Sequence, residues 1–137
     1  MTVISPVNYL AVLVAAVVYF LLGGMWYSKI LFANLWMKSI DMTEEKAKAE
    51  YSPWKMVWAF VASLLSAYGI ARLLSLISGV NLFVGLMVGL LIGVHFVFPI
   101  ISVANTMEGR KAALTIINIV YNLLGLIVMG IIIGAWR

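Results

Sequence analysis

Four long apolar stretches constrain this chain more than any other feature. They run from about Pro6 to Tyr27, Trp54 to Ile77, Leu82 to Thr106 and Ala112 to Trp136. Crossing the hydrocarbon core of a bilayer takes about 20 mostly apolar residues in a helix. The first and third stretches carry no charge, and the second carries two, Lys55 at its very start and Arg72 near its end. Backbone groups in lipid find no water to bond, so each stretch must satisfy its own hydrogen bonds as a helix. Barrel strands would alternate in polarity over about 10 residues, and nothing here does.

Composition points the same way. Of the 137 residues, 65% are hydrophobic and 10% charged, whereas a soluble domain is about a quarter charged. The excess apolar surface must face lipid. That excludes a cytosolic enzyme, a secreted module and a disordered tail. The expected fold is an all-α integral membrane four-helix bundle, one transmembrane domain over residues 1–137. The first stretch lacks a basic leader and a small-x-small site, so it is expected to stay as a span rather than be cleaved. With no cysteine, disulfide, iron–sulfur and thiolate chemistry are unavailable.

The basic residues set an expected orientation. Lys29, Lys38, Lys46, Lys48 and Lys55 lie between the first two spans, and Arg110 and Lys111 between the last two. Only Arg72 and Arg137 lie elsewhere. Basic loops stay cytoplasmic, so both termini are expected outside and the long connection inside. Trp26, Tyr27, Trp54 and Trp58 would then form an inner aromatic belt, and Trp136 an outer one. Within the long connection, about residues 29–52, Phe32, Leu35, Trp36 and Ile40 recur at helical spacing. That predicts one amphipathic interfacial helix. Thr43 reads as the N-cap of a short helix, with Glu44 and Glu45 in its first turn and Lys46 and Lys48 after them, that should stop before Pro53. The basic residues are interleaved with Glu44, Glu45 and Glu50, so they form no nucleic-acid patch.

Helices in lipid associate through small residues and polar contacts. Gly85, Gly89 and Gly93 fall on one stripe, as do Ala59, Ser63, Ala67 and Ala71, while Gly130 and Gly134 share another. Such seams join helices within one chain or between two. Four short helices bury little in one protomer, which favours a homodimer. The remaining partner implied is membrane lipid.

The intramembrane polar residues are the candidate site. His95, Ser102 and Thr106 share one stripe of the third span, away from the glycine seam. Asn118, Tyr121 and Asn122 share a stripe of the fourth. With Asn105, these gather in the inner half of the bilayer. One reading is a polar cavity open to the cytoplasm and floored by His95, for a small ligand or ion. The other is interhelical glue, since such bonds are common in membranes at about 0.6 kcal/mol each. No second His, Cys or intramembrane carboxylate is present to hold a metal with His95, and no cofactor is implied. Glu108 with Arg110 reads as an ion pair fixing the turn.

The run Asn8 to Ala16 leads into Gly23-Gly24-Met25-Trp26-Tyr27-Ser28. Phe32, Trp36-Met37-Lys38 and Thr43-Glu44-Glu45 follow, and then Glu108-Gly109-Arg110 and Asn118 through Tyr121. Together these resemble a bacterial family of small four-helix membrane proteins, catalogued as domain of unknown function 1761. The resemblance covers nearly the whole chain and implies the fold and a place in the bacterial inner membrane. It brings no activity. It marks Trp26, Tyr27, Ser28, Glu108, Arg110, Asn118 and Tyr121 as positions to test.

Small-ligand or ion binding or transport leads the functional expectations. A structural or lipid-binding subunit without transport is the alternative. The first span has no carboxylate, which counts against proton-coupled cation export. Catalysis is not expected. His95 and Ser102 are about 10 Å apart along their helix, too far for a nucleophile and its base.

Overall fold

The chain's need to satisfy its own backbone yields seven α-helices in a computed structural model that describes residues 4–136. They are α1 (Tyr9–Trp26), α2 (Ala33–Ser39), α3 (Glu44–Ala49), α4 (Pro53–Ser75), α5 (Leu82–Ile92), α6 (Phe98–Met107) and α7 (Ala112–Ala135). A π-helical turn, Gly93–Val97, joins α5 to α6. Four helical segments are therefore long and apolar enough to cross a membrane, and no strand occurs among the described residues. Arg137, used in the charge comparison, lies outside those residues.

Local chemistry explains the ends. The side chain of Asn8 accepts from the Ala11 N–H at 3.1 Å, and that of Asn81 from the Val84 N–H at 3.0 Å. Both supply acceptors for first-turn N–H groups that have no partner inside the helix. Pro53 sits in the first turn of α4, where its missing N–H costs nothing. Gly79 and Gly109 take positive φ in the two tight turns.

The third span is interrupted for a stated reason. Pro99 has no N–H to offer the carbonyl four residues back, and its ring crowds that turn. The chain answers with the π-helical turn, in which the Phe98 N–H reaches back to the Gly93 carbonyl.

The long connection folds as two short helices: Asp41 turns the chain at φ 54° after α2, and Thr43 caps α3 through the Lys46 N–H, as its N-cap reading implies, with α3 ending before Pro53. The periodic apolar residues thus belong to α2 and its flanks. That helix packs against α7 and buries Ala33 and Ser39.

Helix α7 is the hub, packed against α1, α4, α5 and α6. The glycine seam is used inside the chain. An added Cβ on Gly85 would overlap the Gly130 carbonyl oxygen, and one on Gly130 would overlap that of Gly85. Each glycine therefore lets the other helix's backbone approach closely. The second small-residue seam closes the far end of α1 on α4. Ala11, Ala15 and Ala16 of α1 share one core with Ala67, Ala71 and Leu74 of α4.

That end also carries both described termini. Asn8 donates to the Trp136 carbonyl at 3.0 Å, and the Ser5 N–H to the Ser75 carbonyl at 3.2 Å. At the opposite end, Lys111 meets Asp41 at 3.2 Å and ties the α6–α7 turn to the long connection. Both basic connections therefore share one end of the bundle.

Candidate functional site

The two ends of the bundle are packed differently, and the site follows from that difference. Every buried residue of α1 lies in its first half, between Ala11 and Ala16, and every buried residue of α4 lies from Ser63 onward. Towards the long connection neither helix buries a residue. Phe20 and Phe60 still meet edge to face at 5.7 Å. Around and beyond them opens a cavity of about 750 Å³, walled by Tyr19, Gly23, Tyr27, Met56, Ser63 and Tyr121 among others. This lies within the ~300–1,000 Å³ common for small-molecule sites.

One wall is a ladder of aromatic rings and amides between α1 and α7. The Tyr19 hydroxyl donates to Asn122 Oδ1 at 2.8 Å, and the Tyr27 hydroxyl to Asn118 Oδ1 at 2.7 Å. The Trp26 Nε1–H donates to the Ile117 carbonyl at 3.2 Å, and Asn122 Nδ2–H to the Asn118 carbonyl at 2.7 Å. Tyr121 stands between the two tyrosines. Its ring stacks on Tyr19 at 5.0 Å and meets Tyr27 edge on at 5.3 Å, while its hydroxyl donates to the Tyr19 carbonyl at 3.3 Å. Offset-stacked and edge-to-face arrangements are the favourable ones for aromatic quadrupoles.

Two glycines make the ladder possible. A Cβ on Gly125 would run into the Tyr19 ring, and one on Gly23 would lie 2.6 Å from the Tyr121 hydroxyl. Each glycine is a notch that lets a ring from the neighbouring helix lie flat. Every buried polar side-chain atom among the described residues has a partner.

The sequence-predicted residues divide into separate groups. Trp26, Tyr27, Asn118, Tyr121 and Asn122 come together in the ladder. Asn105 instead bonds the Thr115 hydroxyl at 3.0 Å, close to the α6–α7 turn. Ser102 is half-buried on α6. Glu108 and Arg110 pair at 2.6 Å across the turn, both exposed.

His95 stands apart from all of these and does not floor the cavity. It is exposed on the outside of the protomer, its Nδ1 3.1 Å from the Leu91 carbonyl oxygen. The reason is helical phase. Gly93 faces Leu123 of α7, and two residues further on a helical side chain points roughly to the opposite side. Trp26 and Tyr27 are corrected too. They pack half-buried within the bundle against Tyr121 rather than forming a lipid-facing belt with Trp54 and Trp58, which are 72% and 60% exposed.

Tyr19, Gly23, Met56 and Ser63 line the cavity without having been singled out as site residues. Tyr19 carries a signal of its own, a polar-tipped ring seven residues before Trp26 and so on the same face of α1. Met56 and Ser63 carried none beyond apolar or small-residue patterning.

A smaller pocket of about 320 Å³ adjoins the cavity. It lies between the end of α1 and helices α2 and α3, and Tyr27 and Trp36 line both spaces. Their rings meet at 6.0 Å and 70°. On its far side Lys29 pairs with Glu44 at 2.5 Å, with Lys48 nearby. The hydrogen bond and charge of Lys29, with a smaller contribution from Lys48, hold the Glu44 carboxyl below the usual carboxylate range. Among the described residues, no group of three or more His, Cys, Asp or Glu side chains is placed to hold a metal.

Residues 10–134 match the family model described as "Protein of unknown function (DUF1761)". The chain belongs to that family. Neither a curated protein nor a solved structure matches it. The DUF1761 assignment agrees with the motifs quoted from the sequence, and it brings a family and no activity. Its four apolar helical segments mark the chain as a multi-pass membrane protein.

Proposed function

We propose that this DUF1761 protein binds, and in a cycle of loading and release carries, a small amphiphilic ligand held between the first, second and fourth spans. One observation carries the reading: the cavity of about 750 Å³ with tyrosines on an otherwise largely apolar wall. Such a wall suits a mainly hydrocarbon ligand and offers the Tyr19, Tyr27 and Tyr121 oxygens as a few fixed polar contacts. The reading assigns no bond-making chemistry. It places the protein in the bacterial inner membrane with the long connection cytoplasmic, supported by the seven basic residues on the two connections of one end.

The test uses protein in phosphatidylcholine nanodiscs, incubated with oleyl alcohol and released into a native mass spectrometer. A saturable one-to-one adduct is expected, and Ala59→Phe or Ala62→Phe, which put a ring into the cavity, should abolish it. The absence of any adduct, or an adduct indifferent to both substitutions, would overturn the reading.

The alternative is a structural membrane subunit without transport. It is supported by the ladder itself, whose donors and acceptors pair with one another.

A further inference from the structure

The cavity and the pocket beside it are chemically unlike. The cavity is lined by rings, glycines and small side chains, and no charged residue touches it. The pocket carries Lys29, Lys48 and Glu44, two cations against one anion, along with the Ser28 hydroxyl. Tyr27 and Trp36 line both. A ligand spanning both would be apolar over most of its length and polar at one end. The sign of that end follows from the charges.

The Lys29–Glu44 pair does not close the pocket to an anion. Its side chains are 67% and 51% exposed, and water screens exposed pairs until they hold little. An incoming anion can therefore exchange with Glu44 for Lys29 and gain Lys48 as a second neighbour. A cation would find two ammonium groups and a carboxylate already paired.

Resting on the cavity reading above, we propose that the ligand is a single-chain anionic amphiphile. Its hydrocarbon chain lies in the cavity between α1, α4 and α7. Its carboxylate or phosphate headgroup lies between Lys29 and Lys48, past the Tyr27–Trp36 wall. The bond-free recognition is thus divided. Burial of the chain supplies affinity, and the two lysines choose the headgroup.

Four amphiphiles with one chain and different headgroups test this: oleate, oleyl phosphate, oleyl alcohol and oleylamine. Each is titrated by native mass spectrometry into the protein in phosphatidylcholine nanodiscs. Comparing variants for one ligand cancels that ligand's own partitioning into the membrane. Lys29→Gln with Lys48→Gln should weaken oleate or oleyl phosphate by about fivefold per lysine, from the usual attraction of a lysine for a membrane-surface anion. Oleyl alcohol should be unaffected. Lys29→Arg with Lys48→Arg should restore anion binding. Glu44→Gln should tighten it, because the competing carboxylate is gone, and a merely structural role for the pair would not give that sign. Whichever anion responds more strongly identifies the headgroup.

The headgroup assignment falls if the lysine variant weakens all four ligands equally or none. If the alcohol still binds and Ala59→Phe still blocks it, the cavity reading survives that failure. If none of the four binds the wild type, both fall together. An unchanged thermal midpoint for the lysine variant shows that its fold is intact.

Discussion

Gly89 offers the sharpest test of how the bundle is held together. Its substitution by alanine is the perturbation. A Cβ there would overlap the Leu126 carbonyl oxygen and lie 2.8 Å from the Leu126 carbonyl carbon and 2.9 Å from Ile127 Cα. All three atoms are backbone, so no side chain can swing aside. Restoring an ordinary carbon contact of about 3.5 Å requires α5 and α7 to part by about 0.7–1 Å. That separation runs along the whole seam, including Gly85, Gly130 and Gly134. A radial gap of about 0.5–1 Å forfeits a quarter to a half of each contact's attraction. Overpacking of this kind costs about 1–3 kcal/mol. Alanine also gains about 0.5–1 kcal/mol over glycine in a helix, and that must be removed from the comparison. Gly69 does so, because it lies within α4 with nothing within 4 Å of an added Cβ. Gly69→Ala carries the helix gain alone. The difference between the variants is therefore expected at about 1–3 kcal/mol against Gly89→Ala. Reversible unfolding in mixed micelles, followed by circular dichroism, measures it. If the two alanines shift the midpoint alike, the close backbone approach is not what holds the third span to the fourth.

Three further outcomes follow from the site. A double-mutant cycle on Tyr19→Phe and Asn122→Ala should give a coupling of about 0.6 kcal/mol, and at most about 1.7, in the same unfolding assay; additive effects would refute the bond between them. In a pH titration followed by carboxyl carbon NMR, Glu44 should titrate below the usual carboxylate range. Lys29→Gln should move it upward, and an unmoved midpoint would show that Lys29 is not the cause. Because the folded carboxyl is depressed, the pairing favours the ordered α2–α3 segment above the usual carboxylate range and is lost as pH falls through the folded value. Protection of that segment's amides, with exchange corrected for its intrinsic pH dependence, should therefore fall on acidification, and less so in Lys29→Gln. His95→Leu should leave oleyl alcohol binding unchanged, whereas Tyr121→Ala should alter it; a loss of the adduct with His95→Leu would return the histidine to the site.

Much of this was legible in residues read one at a time. Span number followed from apolar length, and Asn118, Tyr121 and Asn122 were recognised as one polar stripe of the last span. What the stripe faces was harder. A polar stripe has no address until its neighbours are known, and the tyrosines that answer it sit on α1, the span furthest away in sequence. His95 shows how the assignment could have gone further. Its stripe was seen to lie away from Gly85, Gly89 and Gly93. Glycines in register mark the face where another backbone approaches, so the opposite face of the same helix turns outward. The break at Asp41 was illegible for another reason: a positive φ at a single aspartate leaves no periodic trace. The cavity was illegible because it is a gap shared by α1, α4 and α7, and a gap leaves no mark on any one of the three helices read alone.

The ladder also has a consequence for how the protein is made. Tyr27 and Asn118 are separated by 91 residues, and Tyr19 and Asn122 by 103. The glycine seam, by contrast, joins the third span to the fourth, which follows it after one tight turn. A chain emerging from the ribosome can therefore zip its last two spans together as soon as both are in the bilayer. Its first span must wait beside the second for a partner that is synthesised last. The binding wall is the final piece of the bundle to be assembled, and a chain stopped before Ile117 would have inserted three spans without it.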